Sequence, residues 1–65
     1  MEFKFDGNRT DYNKIPEEVT WLLKECLEKG ITKINIKVTK GAEKEFIEGL
    51  ILEVFSESGV EVIFE

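Results

Sequence analysis

Twice in this chain a helix-patterned stretch runs into a glycine and then, with no spacer, into a short alternating strand. The first instance is Ile15 to Lys29, then Gly30, then a strand from Ile31 or Thr32 to about Thr39. The second is Ala42 to Ser58, then Gly59, then Val60 to Phe64. Glycine at each junction is the natural left-handed stop for a helix. Such tight links make the second and third strands parallel, by a right-handed crossover through the intervening helix. With a first strand at Glu2–Asp6, the order along the chain is βαβαβ.

The spacing of apolar residues fills in the layers. Along the first helix, Ile15, Val19, Leu22, Leu23, Cys26 and Leu27 form one stripe for burial. Pro16 fits the first turn, where its missing N–H costs nothing, and Glu17 and Glu18 suit the positive end of the helix. The second helix collects Phe46, Ile47, Leu50, Ile51, Val54 and Phe55 on one face. In the strands, Phe3 and Phe5 share a side, as do Ile34, Ile36 and Val38, and then Val60, Val62 and Phe64. Each strand therefore has one apolar and one polar face, so only one side of the sheet is covered. The reading is an α/β two-layer βαβαβ sandwich of one domain, 1–65. It has a three-stranded, mostly parallel sheet of order 1-2-3 with both helices on one face. The turn-rich Gly7–Lys14 connection leaves the direction of the first strand open. On the polar face, Lys33 and Lys37 of the middle strand are expected between Glu2 and Asp6 on one side and Glu61 and Glu65 on the other.

Composition limits the chemistry. At 65 residues with one Cys and no His, the chain has no set for a disulfide framework, a zinc finger or imidazole catalysis. Cys26 lies on the apolar stripe, and the chain has no His to serve it as a base, which describes a structural thiol rather than a nucleophile. Glu43, Glu45 and Glu48 spread around one helix and read as a solvated face. Thr39–Glu43 has one Gly and matches neither common phosphate-binding pattern, so it reads as a plain strand-to-helix turn. Asn8-Arg9-Thr10 matches a glycosylation triplet, but no secretory signal accompanies it. No catalytic residue, cofactor or metal ligand is expected. Apolar runs are too short to span a membrane and charge begins at Glu2, which together give a cytoplasmic expectation (or a recombinant one, for a designed chain). Fourteen acids against nine bases give a net charge of −5, with Lys and Glu interleaved. That is a poor match to the basic stripe of a nucleic-acid binder, and no nucleic acid or membrane partner is expected.

Three apolar residues fall off the buried faces. Trp21 is nearly opposite the first helix stripe, among Glu17, Lys24, Glu25 and Glu28. Leu52 does the same on the second helix, and Ile63 points to the open sheet face. They are either single exposed hydrophobes, with Trp21 partly covered by the Tyr12 loop, or contacts for a protein partner or a second copy.

Two resemblances carry implications. Glu28–Val38, Glu43–Phe46 and Leu50–Phe55 together resemble the carboxy-terminal half of de novo designed α/β proteins with a ββαβαββ layout. That resemblance implies a stable scaffold without natural catalytic function. The single Ala, the single Arg and the irregular Gly7–Lys14 loop fit either a redesign on a natural backbone or a natural chain rich in Lys, Glu and Ile. Phe3-Lys4-Phe5-Asp6-Gly7 also resembles the L-D-L-H-G of the Smr domain, and Lys40-Gly41 the end of its H-G-K-G. In that comparison Asp6 replaces the His, Lys4 replaces the Asp, and the second His is missing. Three functional expectations follow: a non-catalytic scaffold, a small acidic protein-binding module (inhibitor or antitoxin-like) using the Trp21 surface, and a degenerate Smr-like nucleic-acid protein.

Overall fold

The computed structural model describes residues 1–65. Its elements are β1 (Glu2–Phe5), α1 (Ile15–Glu28), β2 (Lys33–Val38), α2 (Lys44–Phe55) and β3 (Glu61–Phe64). The three strands form one sheet in the order β1-β2-β3, and both neighbouring pairs are parallel. This settles the direction of β1: the loop from Asp6 to Lys14 crosses over into α1 and does not return β1 antiparallel. Both helices lie on one face and pack against each other.

The covered face is built from the residues whose alternation and periodicity predict it. Phe5, Ile34, Ile36, Val38 and Val60 from the sheet side meet Ile15, Val19, Leu22 and Cys26 of α1 and Ile47, Ile51 and Phe55 of α2. Each large aliphatic or aromatic side chain removed from water contributes about 1.5–3 kcal/mol, and this cluster is the main stabilising feature of the fold. Phe3, Leu23, Leu50, Val54, Val62 and Phe64 pack against it partly buried, and two expected members are exposed. Leu27 is 56% exposed and Phe46 is 46% exposed. Both stand at the margin of their stripes, and a single sheet covers each helix from one side only. The margins therefore open to water, and Phe46 compensates by taking the Tyr12 ring edge-on, centroids 6.2 Å apart.

The end of α1 follows from Gly30, whose φ is 68°. The Ile31 N–H donates to the Cys26 carbonyl and the Gly30 N–H to the Leu27 carbonyl, so a Schellman motif closes the helix. The end of α2 departs from expectation. The helix stops at Phe55 rather than Ser58, because Ser56 donates its hydroxyl to the Glu53 carbonyl and Ser58 to the Phe55 carbonyl. Those hydroxyls take over acceptors that another turn of helix would have used. Glu57 then adopts φ 62° before Gly59 at 82° leads into β3. Its start also moves, from Ala42 to Lys44, for a reason that lies in the loops.

At the carboxyl ends of β1 and β2, Gly7 and Gly41 meet backbone to backbone. A Cβ on Gly7 would overlap the Thr39 carbonyl oxygen, and one on Gly41 would overlap the carbonyl group of Gly7. The Gly7 N–H donates to Thr39 Oγ1 at 3.0 Å, and the Glu43 N–H donates to the Gly7 carbonyl at 2.8 Å. This contact holds residues 41–43 in a turn, so regular helix begins only at Lys44.

Candidate functional site

The sheet has two free edges, and β1 and β3 differ in what they offer there. Carbonyls of Met1 and Phe5 accept N–H bonds from Asn35 and Thr39 of the β2 side. In a strand, N–H and C=O groups alternate in direction, so those of Glu2 and Lys4 point away from the sheet, unpaired. At the other edge, the N–H groups of Glu61 and Glu65 donate to Thr32 and Ile36, which leaves those of Val62 and Phe64 facing out.

Side chains next to these amides decide their character. Phe3 lies under Trp21 with ring centroids 6.4 Å apart, and on Phe5 at 4.8 Å. Trp21 is 49% exposed. It is therefore not a fully solvated residue opposite the stripe. Its partial cover comes from Phe3, whereas the Tyr12 loop covers Phe46 instead. Pro16, Glu17, Thr20 and Lys24 complete a shallow hollow around the indole on α1. Leu52 is exposed, at 54%, and Ile63 is half-buried. In strand register Ile63 falls beside Asn35, which falls beside Glu2, so the row across the open face reads Glu2, Asn35, Ile63. Trp21 and Ile63 therefore belong to opposite faces of the sheet, and the three stray hydrophobes form no single patch.

The open face carries a charge pattern that sequence spacing alone does not place. Lys33 pairs in register with Glu61, at 4.0 Å between Nζ and Oε2, as expected. Lys37, however, falls beside Lys4 and not beside an acid of β1, and Glu2 falls beside Asn35. The expected flanking of both lysines by Glu2 and Asp6 is thus incorrect: parallel pairing slides β1 so that its charges miss those of β2. Glu2 and Lys4 make no ion pair within the chain.

Elsewhere the polar groups serve the fold. Arg9 grips Asp11 through two bonds, Nε to Oδ1 at 2.7 Å and Nη2 to Oδ2 at 2.6 Å, and reaches Glu18 Oε2 through Nη1 at 2.7 Å. Those bonds hold the Asp11 carboxyl below the usual carboxylate range and stiffen the loop into α1. Tyr12 donates to Glu43 Oε1 at 2.8 Å, which ties that loop to the start of α2 and pushes the phenol up. Cys26 is fully buried, and loss of solvation pushes its thiol above the ordinary value. The Glu43 N–H at the start of α2 already serves the Gly7 carbonyl.

The Gly7–Gly41 junction also brings together two segments distant in sequence, Asp6-Gly7 and Lys40-Gly41. Comparison with protein-family models, with curated proteins and with solved structures finds no match to this chain.

Proposed function

We propose that this chain is a small non-catalytic interaction module, a stable α/β scaffold whose working surface is the outer edge of β1 together with Trp21. One observation carries the reading: a half-exposed indole tilted against Phe3, beside a strand whose Glu2 and Lys4 amides are free. An edge strand supplies backbone hydrogen bonds to an incoming extended segment, and a neighbouring aromatic supplies the apolar anchor. The burial of Cys26 and the engagement of Arg9 by two carboxylates agree with a chain that works by contact.

The test is selection of extended peptides from a random library on the immobilised protein, with each isolate rebound to W21A. The reading predicts isolates whose affinity falls at least about tenfold on W21A, as removal of a hot-spot aromatic implies. Isolates indifferent to W21A, or none at all, would overturn it.

A second reading, a degenerate Smr-like binder of nucleic acid, rests on the Gly7–Gly41 junction, which holds Asp6-Gly7 next to Lys40-Gly41. Fluorescence anisotropy with single- and double-stranded oligonucleotides tests it. Binding that K40E abolishes supports this alternative, and no binding at low salt excludes it.

A further inference from the structure

Reading β1 as a binding edge leaves its occupant open, and the charges on that edge narrow the choice. We propose that the occupant is a second copy of this chain, joined β1 to β1 about a twofold axis at Phe3 into a six-stranded sheet. This inference rests on the β1-edge reading and adds the identity of the partner.

An antiparallel pair centred on Phe3 sets Glu2 opposite Lys4 of the partner, and Lys4 opposite the partner's Glu2. These are the residues whose N–H and C=O groups point outward, so each pair exchanges two backbone hydrogen bonds. Both side chains lie on the open face, where neither has an ion-pair partner in its own chain and Lys4 stands beside Lys37. Across the axis they meet opposite charges. On the helix side, the two Phe3 rings face each other as a non-hydrogen-bonded pair, the closer kind, with a Trp21 on either side. Twofold pairing is self-complementary and closes at two copies. Centring the axis on Glu2 or on Lys4 instead would set like charges against each other.

The same operation at β3 fails. Pairing Val62 with Phe64 about an axis at Ile63 puts Glu61 opposite Glu65 of the partner, twice over, and like charges directly opposed are destabilising. Charge thus favours the Phe3-centred pairing at β1 over the Ile63-centred pairing at β3.

Sedimentation equilibrium on the full chain, with two charge swaps, tests the inference. E2K places lysines at both positions and K4E places glutamates at both, so each variant alone opposes like charges. A mixture of the two restores both opposite-charge pairs. The expected result is a wild-type dimer, a dissociation constant raised about tenfold or more in each variant alone, and recovery in the equimolar mixture. An unchanged far-UV circular dichroism spectrum would show that the swaps leave the fold intact. A dimer insensitive to the swaps, or swaps that weaken it without recovery on mixing, would overturn the inference, as would a chain that stays monomeric at high micromolar concentration. If that monomer still binds peptides in a Trp21-dependent way, the partner assignment fails alone. If it binds none, the β1-edge reading fails with it.

Discussion

Lys4 stands beside Lys37 in register on the open face of the sheet, a like-charge pair on adjacent parallel strands. In an isolated chain this neighbour relation is unfavourable by a few tenths of a kcal/mol, roughly, and reversing one sign makes it favourable. K4E is therefore expected to raise the stability of the monomer by about 0.5 kcal/mol, measured by urea unfolding at low concentration. The same substitution is expected to weaken self-association. Opposite signs from one substitution separate a role in the fold from a role in pairing, and a K4E chain less stable as a monomer would contradict the register.

The contact between Gly7 and Gly41 leaves no room for a side chain on either. Neither Gly7→Ala nor Gly41→Ala can be absorbed by a flexible neighbour, because the opposing atoms are backbone. Each is expected to cost about 1–3 kcal/mol, the usual range for overpacking. The urea midpoint should fall with an unchanged slope. Gly49, by contrast, faces open space on α2, and Gly49→Ala should stabilise the chain by roughly 0.5–1 kcal/mol through helix propensity.

Burial of Cys26 makes an alkaline prediction. Its thiol titrates higher in the folded chain than in the unfolded one, so the unfolded state loses its proton first as pH rises. Stability is then fully present below the ordinary thiol value of about 8.5 and declines above it, until the folded thiol also ionises. Tyr12, likewise raised by its bond to Glu43, extends the decline at still higher pH. C26A should remove the thiol's part of that slope. Modification of Cys26 by a disulfide reagent should be slow at neutral pH and should quicken with added denaturant.

Acid reports on the loop that leads into α1. Arg9 depresses the Asp11 carboxyl chiefly by hydrogen bonding, so its contribution is present above the ordinary carboxylate range and is lost as pH falls through the lowered folded value. R9A should flatten this part of the acid limb in a pH series of thermal melts. R9K should restore little of it, since an ammonium cannot reproduce the two parallel bonds to Asp11 together with the bond to Glu18. Full recovery in R9K would mean that charge alone matters there.

Local rules account for most of the fold. Two amphipathic helices, each followed by a glycine turn into an alternating strand, determine sheet order, and the one-sided alternation determines where both helices lie. Cys26 could be placed in the core from helical spacing alone. What the sequence did not disclose came from tertiary pairing. The register of β1 against β2 depends on how Gly7 packs on Gly41, a contact between loops distant in the chain, and that register sets Lys4 beside Lys37. The early end of α2 depends on Ser56 and Ser58 choosing backbone carbonyls over solvent. Trp21 was recognisable as a stray aromatic, but its contact with Phe3 follows from α1 lying over the β1 edge, which no single-element periodicity reveals.

The central claim is that β1, and not β3, is the edge this chain uses. Residue-resolved amide hydrogen exchange tests it most directly, on the free chain at low concentration and then with a Trp21-dependent peptide or at high concentration. The account predicts that the amides of Glu2 and Lys4 exchange rapidly in the first state and become protected in the second, while those of Val62 and Phe64 stay unprotected throughout. Protection appearing at Val62 and Phe64, with Glu2 and Lys4 unchanged, would contradict it.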